Sequence, residues 1–212
     1  MHVKGILKYT LSICFILSLL KWVQSKDNDV FFSHLSVRDG LSQNTVNCIL
    51  KDSQGFMWFG TSDGLNRFNG YEFEVFRHDP EDKNSLSDNK IYTLHEDKAG
   101  NIWIGTQSGL NLYSREKHAF TRFMPNTSDP NMLNDGFIRT IEEDRDGALW
   151  IGTLLGGVCI YEPSTRSFQR INLDVLLKGY DSNKINNISH VIKGRDDHLW
   201  IANSCPGIIE YD

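Results

Sequence analysis

One motif returns four times in this chain, each time around a tryptophan, and no other feature limits the fold so tightly. Its clearest copy reads Asp97-Lys98-Ala99-Gly100-Asn101-Ile102-Trp103-Ile104-Gly105-Thr106-Gln107-Ser108-Gly109-Leu110. An earlier copy runs from Asp52 through Trp58 and Gly60-Thr61 to Gly64-Leu65. A later one runs from Asp144 through Trp150 and Gly152-Thr153 to Gly157-Val158. The fourth is worn: Trp200 is followed by Ala202-Asn203, and Gly194 stands where the leading Asp should be. The tryptophans lie 45, 47 and 50 residues apart. Self-similarity at this period means stacked units, and about 40–50 residues is the size of a four-stranded propeller blade.

Residues 86–123 read strand by strand as one such unit. Leu86-Ser87-Asp88-Asn89 is a polar turn, and Ile91-Tyr92-Thr93-Leu94-His95 is rich in strand formers. Asp97 to Gly100 is a hairpin turn, because Asp can bond its own backbone and Gly tolerates positive φ. Ile102 to Gly105, Leu110 to Tyr113 and Phe120 to Phe123 supply three further strands. The other copies place first strands at Val46 to Leu50, Ile138 to Glu142 and Ile188 to Ile192. Inner strands are apolar on both faces, as sheets sandwiched between neighbours require. Beyond the N-terminal segment, only Asp174 to Tyr180 has room for a short helical turn. The expected fold is all-β, a propeller of four-stranded antiparallel blades at about 41–79, 86–125, 133–173 and an incomplete 183–212.

Phe32-Ser33-His34-Leu35 copies the pattern of a fourth strand without three strands before it, so residues 31–36 read as an orphan outer strand. The last repeat stops after its third strand. Two arrangements satisfy this: four blades closed on themselves, or the opening of a larger ring. Bulky tryptophan blades are hard to splay into a four-blade ring, and end repeats need partners, so a seven-bladed ring is the preferred expectation.

Residues 1–25 read as a signal peptide, with residues 26–212 the propeller repeats. Lys4 and Lys8 precede an apolar run from Leu11 to Leu20, and Val23-Gln24-Ser25 is an acceptable cleavage site. The run is about half of the ~20 residues a membrane span needs. Cleavage would remove Lys4, Lys8 and Lys21 and no acid, taking the formal charge from −5 to −8. An exported, acidic chain without a basic tract is a poor match for nucleic acid or an anionic membrane. Cys48, Cys159 and Cys205 remain, an odd number with no disulfide or zinc spacing. Cys48 and Cys159 read as small buried hydrophobes on strands.

The repeat Leu-Ser-x-Asn-x-Val, then Asp-x-x-Gly-x-x-Trp-x-Gly-Thr-x-x-Gly-Leu, resembles the two-component regulator propeller repeat. Leu41-Ser42-Gln43-Asn44-Thr45-Val46 through Leu65, followed by Arg67-Phe68-Asn69-Gly70, is nearly a consensus copy, and the likeness spans about Phe31 to Asp212. The resemblance implies a periplasmic sensor region of Bacteroidetes hybrid two-component systems, which respond to polysaccharide breakdown products. It implies two seven-blade propellers and a β-sandwich before a membrane span, kinase, receiver and DNA-binding module. This sequence carries no kinase motif and no span after residue 25, so kinase activity would reside in an absent C-terminal half. A homodimer through the full-length sensor and an oligosaccharide ligand are the partners implied. No cofactor or metal is expected: Asp144-Arg145-Asp146-Gly147 is followed at once by a strand, and a calcium loop needs more oxygens than it offers.

In an up-and-down blade, the turns after the second strands share one face with the links into the first strands. That face gathers Asn44, Ser62, Asp63, Asn89, Gln107, Asn134, Asp135 and Asn186. Converging amides, hydroxyls and acids suit a carbohydrate, and turn geometry alone also accounts for these residue types. Trp58, Trp103, Trp150 and Trp200 read as core wedges, since packing is needed in every blade and a ligand touches one or two. The expectation is a non-catalytic periplasmic ligand sensor. The alternatives are a propeller lyase or hydrolase acting on a glycan or lactone, and a stand-alone four-bladed protein-binding scaffold.

Overall fold

The computed structural model describes residues 32–171, 173–205 and 207–211. The segment read as a signal peptide lies outside them. The chain divides into Met1–His34, of which only residues 32–34 are described, and Leu35–Asp212.

The second unit is four antiparallel sheets, each a meander in chain order. The first comprises β1 (Val46–Lys51), β2 (Met57–Thr61), β3 (Gly64–Phe68) and β4 (Phe73–Phe76). The second holds β5 (Ile91–Glu96), β6 (Ile102–Thr106), β7 (Leu110–Ser114) and β8 (Ala119–Phe123). The third holds β9 (Ile138–Glu143), β10 (Leu149–Thr153), β11 (Val158–Glu162) and β12 (Ser167–Ile171). The fourth has three strands, β13 (Ile188–Lys193), β14 (Leu199–Asn203) and β15 (Ile208–Tyr211). Two four-residue helical turns, α1 (Leu173–Leu176) and α2 (Ser182–Ile185), lie between β12 and β13. Each first strand runs one residue beyond its sequence expectation.

Residues 32–36 form no strand. Ser36 instead caps a 3-10 turn at Val37–Asp39, and its backbone N–H and hydroxyl both donate to the Asp39 carboxylate. A strand exists only where a ladder pairs it, and no strand among the described residues pairs with this segment.

The core is three clusters, one at each contact between successive sheets. Trp58, Leu65, Ile91, Ile104, Tyr113 and Phe120 fill the first. Trp103, Leu110, Ile138, Ile151, Tyr161 and Phe168 fill the second, and Trp150, Val158, Ile188, Val191 and Ile201 the third. Each cluster has one tryptophan, packed on a tyrosine from the next sheet: Trp58 on Tyr113 at 5.2 Å, Trp103 on Tyr161 at 5.1 Å, Trp150 on Tyr211 at 4.7 Å between ring centroids. Burying such a ring is worth about 4–6 kcal/mol as an upper figure. Trp200 departs from the expectation. It is 37 % exposed, because no further sheet among the described residues packs on that side.

The glycine after each tryptophan explains how closely the sheets approach. A Cβ at Gly105 would lie 2.5 Å from Thr93 Cγ2 and 2.7 Å from Ile138 Cγ2, and Gly60 and Gly152 are crowded the same way by Ile91 and Ile188. The first isoleucine of each sheet thus nests in the notch left by the glycine of the sheet before. Ala202 takes this position in the fourth sheet, where no such isoleucine follows among the described residues.

Candidate functional site

Two polar networks repeat with the sheets, and they account for most of the conserved spacing within the motif. At the hairpin between the first and second strands, the leading aspartate does two jobs. Asp97 Oδ1 accepts from the backbone N–H of Ala99 (3.0 Å) and Asn101 (2.8 Å), which shapes the turn, and Oδ2 accepts from Trp103 Nε1 at 2.8 Å. Asp52 repeats this with Gln54, Phe56 and Trp58, and Asp144 with Asp146, Ala148 and Trp150. The indole N–H is thereby satisfied inside the interface, where an orphan donor would cost about 1–3 kcal/mol. Asp52 carries a further partner, Arg115 Nη1 at 2.9 Å. Burial alone would raise its carboxyl, but bonds from Trp58, Arg115 and the Phe56 N–H, with the guanidinium charge, hold it below its ordinary value.

The second network ties each link to its own sheet at the opposite end. The Ser42 hydroxyl lies 2.9 Å from Thr61 Oγ1, and the Asn66 amide brackets Ser42 through its N–H and hydroxyl. Ser87, Thr106 and Asn111 repeat the arrangement. In the third sheet Asn134 and Cys159 replace the serine and asparagine, and the Cys159 thiol donates to Asn134 Oδ1 at 2.9 Å. Burial pushes the Cys159 thiol up to about 11 and that of Cys48 to about 12. Arg122 and Arg170, on the fourth strands, pin the incoming links by donating to the Asp82 and Ser85 carbonyls and to the Asp129 and Met132 carbonyls.

The structure shows what the sequence-selected face residues do. Asn44 Oδ1 accepts from the Val37 N–H, and Asn89 Oδ1 from the His78 N–H. Asp63 pairs with Arg77 at 3.2 Å, and Ser62 accepts from the Asn47 amide. Asp135 holds the N–H groups of Phe137, Leu155 and Gly156, and Asn134 donates to the Gly156 carbonyl. The backbone carbonyl of Asn186 accepts from Gly157. These residues serve as turn staples in this structure. Gln107 is exposed, with its backbone N–H on the Lys90 carbonyl.

Three residues at this end escaped the sequence reading. Every first strand carries a register shift near its start, at Asn47, Tyr92, Arg139 and Ser189. Such bulges re-aim side chains. Asn47 reaches the Ile91 carbonyl at 2.9 Å, the Tyr92 ring sits 4.5 Å from Phe137, and Arg139 Nη1 donates to Asn187 Oδ1 at 3.3 Å. Each therefore touches the start of the following repeat, and the first strands of successive sheets pack side by side. An amide, a phenol ring and a guanidinium at equivalent positions form a mixed polar strip with one stacking surface. The signal for it was the interruption of strand alternation after each opening apolar residue.

At the other end, antiparallel pairing of Trp200 with Glu210 brings Asp196, His198 and Glu210 together, with donor atoms within 4.8 Å. His198 Nδ1 is 2.9 Å from Glu210 Oε1, so hydrogen bonding within this exposed group accounts for it.

A family model described as the two component regulator propeller matches residues 40–63, 85–108 and 132–154. These matches fall on the first three of the four repeats, which are similar to two-component regulator propeller repeats. A histidine kinase of Formosa agariphila is 40% identical over 60 residues, which is 28% of this chain and 4% of that protein. Among solved structures, the extracellular domain of a hybrid two-component system from Bacteroides thetaiotaomicron is 28% identical, with a TM-score of 0.74 over 84% of this chain and 24% of that chain. Virginiamycin B lyase from Staphylococcus aureus, at 17% identity, TM-score 0.56 and coverage of 79% and 55%, shares the fold alone. The chain thus spans about a quarter of the sensor domain it resembles. Among the described residues no helix is long and apolar enough to cross a membrane.

Proposed function

We propose that the chain is a non-catalytic, periplasmic ligand-sensing propeller, part of a hybrid two-component sensor that responds to oligosaccharides released from polysaccharides. The observation that carries this reading is the 28% identity to the extracellular domain of a hybrid two-component system across 84% of the chain. Further blades complete a seven-bladed ring, and the whole sensor works as a homodimer. Ligand binding biases one arrangement of that dimer over another, which requires a difference in affinity between them and no chemistry in the propeller.

The ligand face combines the bulged residues Asn47, Tyr92 and Arg139 with Ser62, Asp63 and Gln107 of the adjacent turns. Amide, guanidinium and hydroxyl groups offer the dense hydrogen bonding that a sugar demands, and Tyr92 offers a ring to stack on it. The test is calorimetric titration of the chain with oligosaccharides from plant and host glycans, with chromatography of the sugar afterwards. The reading expects saturable binding of an intact sugar, weakened severalfold by Tyr92→Ala, in keeping with the worth of one aromatic contact. Cleavage of the sugar, or binding unaffected by both Tyr92→Ala and Arg139→Ala, overturns it.

A further inference from the structure

The first and second contacts between sheets close differently at the hairpin end. Each receives a carboxylate from the last residue of the incoming first strand, Glu96 on β5 and Glu143 on β9. Glu96 is well supplied with donors. It accepts from the Ser53 N–H at 2.7 Å, the Ser53 hydroxyl at 2.7 Å and Arg115 Nη2 at 3.2 Å. Glu143 is more deeply buried, its side chain 9% exposed against 14% for Glu96, and it has fewer donors. Lys98 stands where Ser53 stands, and its N–H donates to Glu143 Oε2 at 2.8 Å. Lysine has no hydroxyl to add, and its ammonium lies 3.8 Å away, bonded instead to the Asp144 and Arg145 carbonyls. Pro163 holds the position of Arg115 and has no donor to offer.

A third difference answers these two. Where β1 has Leu50, packed against the apolar core, β5 has His95. The imidazole sits inside the second contact, and Nε2 lies 4.0 Å from Glu143 Oε2. That nitrogen is buried and has no hydrogen-bond partner among the described residues. An orphaned ring nitrogen therefore faces a carboxylate short of donors, across a gap about 1 Å too wide for a hydrogen bond.

We propose that His95 and Glu143 are a proton-operated latch between the second and third sheets, open while the imidazole is neutral and closed, with Nε2 donating to the Glu143 carboxylate, once the ring has taken a proton from solvent. Imidazolium carries an N–H on both nitrogens, so protonation makes Nε2 a charged donor whichever tautomer precedes it. A hydrogen bond between two charged groups is shorter and stronger than a neutral one. The other charged groups around the ring are Glu96 on its own strand, Asp97 and Lys98 in the β5–β6 hairpin, Glu142 beside Glu143, and Lys193 on β13. The acids favour the charged ring, Glu143 most of all. Burial opposes them and wins, holding the imidazole below its ordinary 6.5. Because folding depresses this pKa, the stability owed to the neutral ring is whole above 6.5 and is lost as pH falls through the folded value. The closed latch recovers part of that loss. It lies at the hairpin end, away from the proposed ligand face, and operates without a ligand.

The test follows the full chain by NMR from mildly alkaline to acid pH. It reads the His95 ring protons and the Lys98 backbone N–H, which shares Glu143 Oε2 with the latch. The ring is expected to titrate with a midpoint below 6.5, and the Lys98 signal to move with the same midpoint. Glu143→Gln removes the facing charge, so the proton affinity of the ring should fall about tenfold, the low end of what an opposite charge within about 4–6 Å contributes. His95→Leu, which copies Leu50 of β1, should hold the Lys98 signal still over the range in which the ring titrates. A Lys98 signal indifferent to the ring in the wild type, a Lys98 signal that still moves in His95→Leu, or a ring with unchanged midpoint in Glu143→Gln overturns the proposal. If Glu143→Gln does not fold, the comparison of wild type with His95→Leu decides alone.

Discussion

The bond between Asp97 and Trp103 is the cleanest place to test whether the leading aspartate and the tryptophan act as one unit. Removing the carboxylate by Asp97→Ala leaves Trp103, only 2 % exposed, without its acceptor at 2.8 Å and frees two hairpin N–H groups. The freed backbone groups lie in an exposed turn and regain water, so the orphaned indole dominates. A hydrogen bond to a charged partner is worth about 1.5–3 kcal/mol, which sets the expected loss. Trp103→Phe removes the same bond from the other side, together with ring contacts to Phe123 and Tyr161. Urea unfolding of wild type, both single variants and the double variant gives the coupling directly. With a slope of about 2 kcal/mol per molar urea, each single change should lower the midpoint by roughly 1 M. The double variant should recover about 1.5–3 kcal/mol relative to the sum of the singles. Additivity within about 0.5 kcal/mol would show that the two residues serve separate purposes and that the carboxylate does not hold the indole.

Three further outcomes follow from the same packing. Gly105→Ala should cost about 1–2 kcal/mol in urea unfolding, since its Cβ would meet Thr93 and Ile138 below 3.0 Å and overpacking outweighs the chain-entropy gain, whereas Ala202→Gly should cost less than about 1 kcal/mol. Arg115→Ala should destabilise the chain by about 1–3 kcal/mol at neutral pH by leaving the buried Asp52 carboxylate short of a partner. Because the folded carboxyl sits below its ordinary 3.8, its stabilisation is present above that value and fades as pH falls through the folded pKa. The gap between wild type and Arg115→Ala should therefore narrow in unfolding curves taken at progressively lower pH. Cys159, buried, and Cys48, partly buried, with thiols raised to about 11 and about 12, should resist alkylation in the native chain at mildly alkaline pH and react on unfolding, as peptide mass mapping would show.

The meander was legible because each of its determinants is local. Strand-forming runs, Asp-Gly turns and the tryptophan period lie within a single repeat, so Ile91 to Phe123 could be parsed without its neighbours. What was not legible depended on contacts across repeats. Trp200 shares the motif position of Trp103, yet the ring is half-exposed because burial is conferred by the next sheet and not by its own sequence. Residues 32–36 carry a fourth-strand pattern, and pattern alone does not supply a ladder. The six-residue interval from aspartate to tryptophan was visible in three copies, but antiparallel pairing was needed to see that it returns the indole to the carboxylate. The strip of Asn47, Tyr92 and Arg139 was obscured because a bulge shifts the alternation that assigns faces. Of the face residues chosen for ligand contact, Asp135 bonds Phe137 of its own link and Leu155 of the neighbouring turn, a use that residue type alone does not separate from ligand contact.

Tryptophans locked by aspartates hold successive sheets together, and hydrogen exchange of the individual indole N–H groups reads this most directly. Trp58, Trp103 and Trp150, each 2 % exposed or less and bonded to a carboxylate, should exchange slowly, whereas the partly exposed Trp200, with Gly194 in place of the aspartate, should exchange fast. Four indoles exchanging at one common rate would contradict it.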